Sequence, residues 1–388
     1  VSIYLDHAAT TPMSPLAMQA LTAAMAKTGN ASSLHTQGRS VRKDVEEARE
    51  SIALASGARP NEMIFTGSGT EANNLAVKGF YWSAIAQDPQ RNVIVIAAFE
   101  HHAILEPVEW LEKHEGAVVI YIPITPSGVV DLDALAQIIK DESGKIALIS
   151  VMHSNNELGT VQPISEVVGL AGDIPVHVDA VQSFGKVGFN FEELGVTSAT
   201  ISAHKVGGPL GVAALILRRG LDITPILHGG GQERDIRSGT LNAPAIVAFA
   251  AAAQEMVAKR DENYKKVSAL RALLKGKIAA AISDAQFNGD APQMLPGILN
   301  VTFPGTESDS LLLLLDAEGI CSSTGSACSA GVQRPSHVLM AIGLSEDLAR
   351  SSLRFSLGLS NTEAEINEVG EKIAGVVARA QAALVRSS

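Results

Sequence analysis

The chain has little of what cross-links or rigidifies a small extracellular fold. Its cysteines are two, Cys321 and Cys328, too few for a disulfide framework. No secretory pattern precedes Tyr4, so a reduced, cytoplasmic compartment is expected. Aromatic residues make up only 4%, while alanine and glycine are plentiful, a balance suited to closely packed α/β layers. There is no lysine/arginine block. The 30 basic residues are outnumbered by 41 acidic ones, for a net charge of −11, so direct binding to nucleic acid or to a membrane surface has no electrostatic support. The longest apolar run, Ala245 to Ala253, is too short to span a bilayer. No internal repeat or low-complexity tract stands out, and no metal is called for.

What remains is a globular composition, 46% hydrophobic and 18% charged over 388 residues. That length predicts two domains. Short apolar runs at 63–66, 93–98, 118–122, 146–151, 176–178, 199–201 and 212–217 predict strands. Most are apolar on both faces, as in a parallel sheet covered by helices. Helical patterns at 70–87, 104–114, 132–140 and 164–170 fill the gaps. The expectation is a doubly wound α/β domain over 15–258 with its ligand site at the carboxyl ends of the strands. Residues 1–14 and 259–388 are expected to form a smaller α+β domain. Its last helix opens on a capping box, Thr362-x-x-Glu365.

The chain is organised around Thr200-Ile-Ser-Ala-His-Lys-Val-Gly-Gly-Pro209. A strand ends there, a glycine turn follows, and Lys205 stands between them. Desolvation at such a strand edge lowers an amine's pKa and makes it a usable nucleophile toward carbonyls. Upstream, Asp179 closes another short strand. An amine of this kind, with an acid to pair with a pyridinium nitrogen, is the minimum equipment for pyridoxal 5′-phosphate (PLP). Strand, glycine turn and helix start in Met63-Ile-Phe-Thr-Gly-Ser-Gly-Thr70 make a phosphate cradle at a helix N-terminus. His101, at the end of a further strand, is positioned to stack on a ring and move protons. A rival exists in Gly67-x-Gly69-x-x-Ala72 with Glu100 as a ribose acid, the loose fingerprint of an NAD-linked dehydrogenase. That reading leaves Lys205, Asp179 and the cysteine loop without a task.

Several motifs then agree in order and spacing: Asp6-x-Ala-Ala-Thr-Thr-Pro12, Phe65-Thr-Gly-Ser-Gly-Thr-Glu-Ala-Asn-Asn-Leu-Ala76, Met152-His-Ser-Asn-Asn-Glu-Leu-Gly159, His177-Val-Asp-Ala-Val-Gln-Ser183, Ser202-Ala-His-Lys205, Arg237-Ser-Gly-Thr240, Ser323-Thr-Gly-Ser-Ala-Cys328 and Arg354-Phe-Ser356. From Tyr4 to the last helix the chain resembles the cysteine desulfurases of the NifS/IscS-like group, within the class-V aminotransferase family of fold-type I PLP enzymes. The resemblance implies a fold-type I large domain with a mainly parallel seven-stranded sheet. It implies that Lys205 holds PLP, Asp179 pairs with the ring nitrogen and Gln182 bonds the ring oxygen. Asn156 would sit near that oxygen and the substrate carboxylate. Gly69, Thr70, Ser202 and His204 would bind the phosphate, and Thr240 would reach the phosphate of the neighbouring subunit in a homodimer. His101 would stack on the ring, Arg354 would clamp the carboxylate of L-cysteine, and Cys328 would take up the sulfur as a persulfide. A protein sulfur acceptor is then implied, an iron–sulfur scaffold or a tRNA-thiolation enzyme. A selenocysteine lyase or an aminotransferase of the same fold would share every PLP residue. Cys321 has no role in the pattern. Leu210 stands where a lysine is common, and residues 326–335 are long enough for an extended cysteine loop that favours persulfide relay.

Overall fold

The computed structural model describes residues 2–325 and 335–387; Cys328 lies outside the described residues. The chain opens with β1 (Ile3–Tyr4), α1 (Pro15–Met25) and α2 (Thr36–Ser56). Strands and helices then alternate: β2 (Met63–Thr66), α3 (Gly69–Gln87), β3 (Val93–Ala97), α4 (His102–Glu115), β4 (Val118–Ile122), α5 (Leu132–Asp141), β5 (Ile146–Ser150), α6 (Ile164–Ala171), β6 (Val176–Asp179), α7 (Phe191–Leu194), β7 (Ser198–Ser202) and β8 (Ala213–Leu217). The seven strands from β2 to β8 form one sheet in the order β2-β8-β7-β6-β5-β3-β4. Only β8 runs against its neighbours; the other pairings are parallel.

Burial on both faces explains why these strands read as continuous apolar runs rather than alternating ones. Successive side chains still point to opposite sides. Met63 and Phe65 join a core with α2, α6 and the alanine-rich α8 (Ala243–Ala258), while Ile64 between them joins a second core with α3 and α4. The small side chains of α8 let it pack closely against both α1 and α2.

The remaining elements are α9 (Arg260–Ala281), β9 (Gln286–Asn288), β10 (Ile298–Thr302), α10 (Ser308–Ala317), β11 (Ile320–Cys321), α11 (His337–Ala341), α12 (Glu346–Arg350), β12 (Ser352–Ser356) and α13 (Glu363–Ser387). Most of them build an antiparallel sheet, β12-β10-β9, and a separate apolar cluster that also takes in Ile3 and Leu5 from the N-terminus; α11 and α12 instead add Val338, Leu339 and Ala349 to the core that holds Met63 and Phe65. The capping box at 362–365 is formed: Thr362 N donates to Glu365 Oε2 at 2.8 Å, and Glu365 N donates to Thr362 Oγ1 at 3.3 Å. Ile366, Val369, Ile373 and Val376 of α13 are all fully buried against that cluster.

Two features differ from the sequence expectation. The charged helix α9 has too sparse a stripe to announce itself, with buried residues only at Val267, Leu270, Leu274 and Ile278. The two-residue strands β1 and β11 pair parallel, joining the N-terminus to the chain just before Cys328. Cys321 lies in that pairing, half-buried, as a free thiol.

Candidate active site

The carboxyl ends of β2, β3, β5, β6 and β7 open onto one edge of the sheet, and a cavity of about 400 Å³ lies there. Its walls include Gly69, Thr70, His101, Asn156, Asp179, Gln182, Ser202, His204, Lys205 and Arg354. Every sequence-predicted site residue is thus brought together except two. Cys328 lies outside the described residues. Thr240 is exposed on the loop before α8 and does not line the cavity.

Lys205 follows β7 on a single tight turn, and its Nζ donates to the carbonyls of Ala8 and Ala9 at 2.5 and 2.7 Å. Loss of water around the amine pulls its pKa down to about 8, and Arg354 adds to the shift, while Asp179 and Asp6 oppose it. Asp179 ends β6 and is buried. Asn73 Nδ2 donates to its Oδ2 at 2.6 Å, and the Val181 N–H donates to its Oδ1 at 2.9 Å.

Behind Asp179 stands a chain that sequence reasoning missed. Asn73 gives its amide hydrogens to Asp179, so its Oδ1 must accept from His177 Nε2, 3.1 Å away. His177 Nδ1, 2.8 Å from Ser198 Oγ, then accepts from that hydroxyl. Burial drives the His177 pKa down to about 3, so the ring is neutral and this arrangement is fixed. Asn73 sits one helical turn after Gly69, on the face of α3 turned to β6. It lies in the motif at 65–76, which gave it no role of its own.

The phosphate cradle is tied down in a similar way. Ser68 caps α3 by accepting from Glu71 N at 3.1 Å. Glu71 Oε2 accepts from Gly67 N at 2.7 Å, and its Oε1 accepts from Arg237 Nε at 2.7 Å. A side chain at Gly69 would bring its Cβ within 3.1 Å of Val181 Cγ2, so glycine there keeps the backbone close to the cavity. The N–H groups of the first turn of α3 have no partners in the helix itself and favour an anion.

His101 caps α4: its Nδ1 accepts from Ala103 N at 3.0 Å, which leaves the hydrogen on Nε2. Desolvation lowers its pKa, with Lys205, His102 and Arg354 adding and Asp179 opposing. His204 Nδ1 lies 3.3 Å from Thr10 Oγ1, and burial followed by the charges of Lys205 and Lys186 takes its pKa to about 4. Arg354, buried on β12, donates to Asp6 Oδ1 at 2.8 Å and to the Asn156 carbonyl at 3.0 Å. Each of the two donating nitrogens uses one of its two hydrogens in that bond and keeps the other, so the guanidinium retains donors; among the described residues its Nε is buried without a partner. Glu157, another residue missed from sequence, accepts from Ser336 Oγ at 2.6 Å, and burial raises its pKa to about 7.

The rival dinucleotide reading fails on Glu100. That side chain is fully buried and accepts from Met152 N at 2.5 Å, so it is not open to a ribose. The residues do fit PLP: an anion-binding helix end, a buried carboxylate held by two donors, an imidazole and an amine of lowered pKa share one cavity.

Comparison with known proteins agrees. The model of the class-V aminotransferase family matches residues 3–369. An IscS-like cysteine desulfurase of Mycobacterium tuberculosis is 49% identical, with 99% of this chain and 98% of the relative covered. Cysteine desulfurase IscS of Dictyoglomus turgidum is 43% identical, with 94% and 92% covered. Among solved structures, a NifS-like protein superposes with a TM-score of 0.89 at 34% identity, covering 98% of this chain and 100% of that one. A NifS-like protein from Rickettsia africae gives 0.86 at 33% identity, covering 97% and 99%. The chain belongs to the class-V aminotransferase family, among its PLP-dependent cysteine desulfurases.

Proposed function

We propose that the chain converts L-cysteine to L-alanine and takes the sulfur onto Cys328 as a persulfide, which an acceptor protein then removes. The convergence of Lys205, Asp179, His101 and Arg354 on one cavity carries this reading. PLP, when bound, supplies an electron sink for the charge left at the substrate Cα as its proton departs. Lys205 Nζ anchors that cofactor and, as a free amine, accepts the Cα proton; a pKa near 8 suits it to both tasks. Asp179 keeps a negative charge against the ring nitrogen and so retains a proton there. Gln182 donates to the ring oxygen, and Asn156 stands beside it. Gly69, Thr70, Ser202 and His204 hold the phosphate. His101 covers the ring, and its Nε2–H is a proton donor facing the reaction. Arg354 orients the substrate carboxylate through its remaining donor capacity.

The working unit in this reading is a homodimer whose Thr240 completes the partner's phosphate site, with a large domain over 15–258 and a small one from 1–14 and 259–388. The acceptor is an iron–sulfur scaffold or a tRNA-thiolation enzyme. Among the described residues no helix is long and apolar enough to cross a membrane. The test is conversion of L-cysteine by the cofactor-loaded protein. Equal yields of alanine and transferred sulfur are expected. Cys328→Ala should abolish the sulfur product, and its full retention would overturn the persulfide step.

A further inference from the structure

A second cavity, of about 490 Å³, lies on the far side of Lys205, and Ala8, Gln182 and Lys205 line both it and the catalytic cavity. Of these two, Lys186 lines the second. Its Nζ donates to Gln182 Oε1 at 3.2 Å, and Gln182 Nε2 donates to the Ala8 carbonyl at 2.9 Å. These bonds grip opposite ends of one amide, and each dictates the same orientation. In its charged form the Lys186 amine has only hydrogens to give and so faces Oε1; a backbone carbonyl can only accept, so it must face Nε2. The second hydrogen on Nε2 is then the polar group Gln182 can offer to the catalytic cavity.

We propose that Lys186 is a positioning residue that locks Gln182 as a hydrogen-bond donor toward the ring oxygen of bound PLP. The proposal rests on the reading of the site given above. Holding a lysine here is costly: burial pulls its pKa down to about 7, and Lys205 and Arg354 push it the same way. A methionine would fill similar space without burying an amine, so space-filling does not account for the residue. Gln182 is the one side chain among the described residues to which the amine is hydrogen-bonded. Without that bond, the Ala8 carbonyl is the one remaining anchor of the amide, and the side chain is freer to swing its remaining N–H away from the ring oxygen.

The test is the pH midpoint of the visible absorbance of the bound cofactor, read on loaded protein without substrate. A donor at the ring oxygen draws charge from it and weakens its hold on a neighbouring proton, which keeps the midpoint low. Lys186→Met should raise the midpoint by about one pH unit. Gln182→Ala should do the same, and the double variant should match Gln182→Ala alone, because both changes remove one interaction. Lys186→Arg should keep the original value; if the Met variant does not fold, Lys186→Gln takes its place. A shift in Gln182→Ala with none in the Lys186 variants overturns the proposal and leaves the site reading standing, as does a double variant showing the sum of both shifts. Cofactor that cannot be fixed to Lys205 by borohydride overturns the site reading itself.

Discussion

Asn73 donates to Asp179 across 2.6 Å, and both side chains are buried. The bond is one link in a series running from Ser198 through His177 and Asn73 to the carboxylate, in which each group has a single way to point. Asp179 is thereby oriented by residues that do not line the cavity, Ser198 and His177, as well as by Asn73, which does. Asn73→Ala leaves a buried carboxylate oxygen without its donor, at a cost of about 1–3 kcal/mol. The expected outcome is a loss of about tenfold or more in PLP affinity, measured by titrating the cofactor into apoprotein. Unchanged affinity would mean that Asp179 does not depend on this chain.

Glu71 is predicted to matter only for ligands that carry a phosphate. It accepts from Gly67 N and from Arg237 and so fixes the turn that precedes α3. Glu71→Ala should weaken PLP binding about tenfold, whereas binding of pyridoxal, which lacks the phosphate, should change little. Glu71→Gln, which keeps an acceptor, should fall between.

Arg354 is held by Asp6 and the Asn156 carbonyl, and a guanidinium can serve both and still present a hydrogen to substrate. An ammonium is a point donor and lacks that fork. Arg354→Lys should therefore raise the KM for L-cysteine about tenfold or more, with a smaller effect on kcat. A change confined to kcat would argue against a carboxylate clamp.

Glu157 gives a pH-dependent prediction. Its carboxyl is buried, with a folded pKa of about 7 against an ordinary value of 4.5. Below pH 4.5 both folded and unfolded states hold the proton. As the pH rises from there to 7, the unfolded state ionises first, so stability falls, and above 7 the loss levels off. Glu157→Gln removes the titration while keeping an acceptor for Ser336. The stability of the variant relative to the parent should rise across that window by about 3 kcal/mol, measured by urea unfolding at several pH values. A constant difference would contradict the account.

Much of this arrangement was legible in the chain. Strands buried on both faces show as unbroken apolar runs, and Lys205, Asp179 and His101 stand where such runs end. Asn73 and Lys186 were not legible, because their work depends on which way a helix or turn faces. A buried asparagine and a solvated one are the same letter. Glu100 looked like a ligand acid and is instead enclosed, with Met152 N as its donor. The role proposed for Thr240 requires a second chain, and in one chain the residue is simply exposed. Helix α9 was hidden by its charge.

Lys205 and Lys186 both carry amines of lowered pKa, about 8 and about 7. Acidity alone would favour Lys186 as the nucleophile; position favours Lys205, which shares its cavity with Asp179. The most direct test is to load the protein with PLP, reduce it with borohydride and locate the pyridoxyl group by peptide mass spectrometry. The account predicts the label on Lys205, and a label on Lys186 or on no lysine would contradict it.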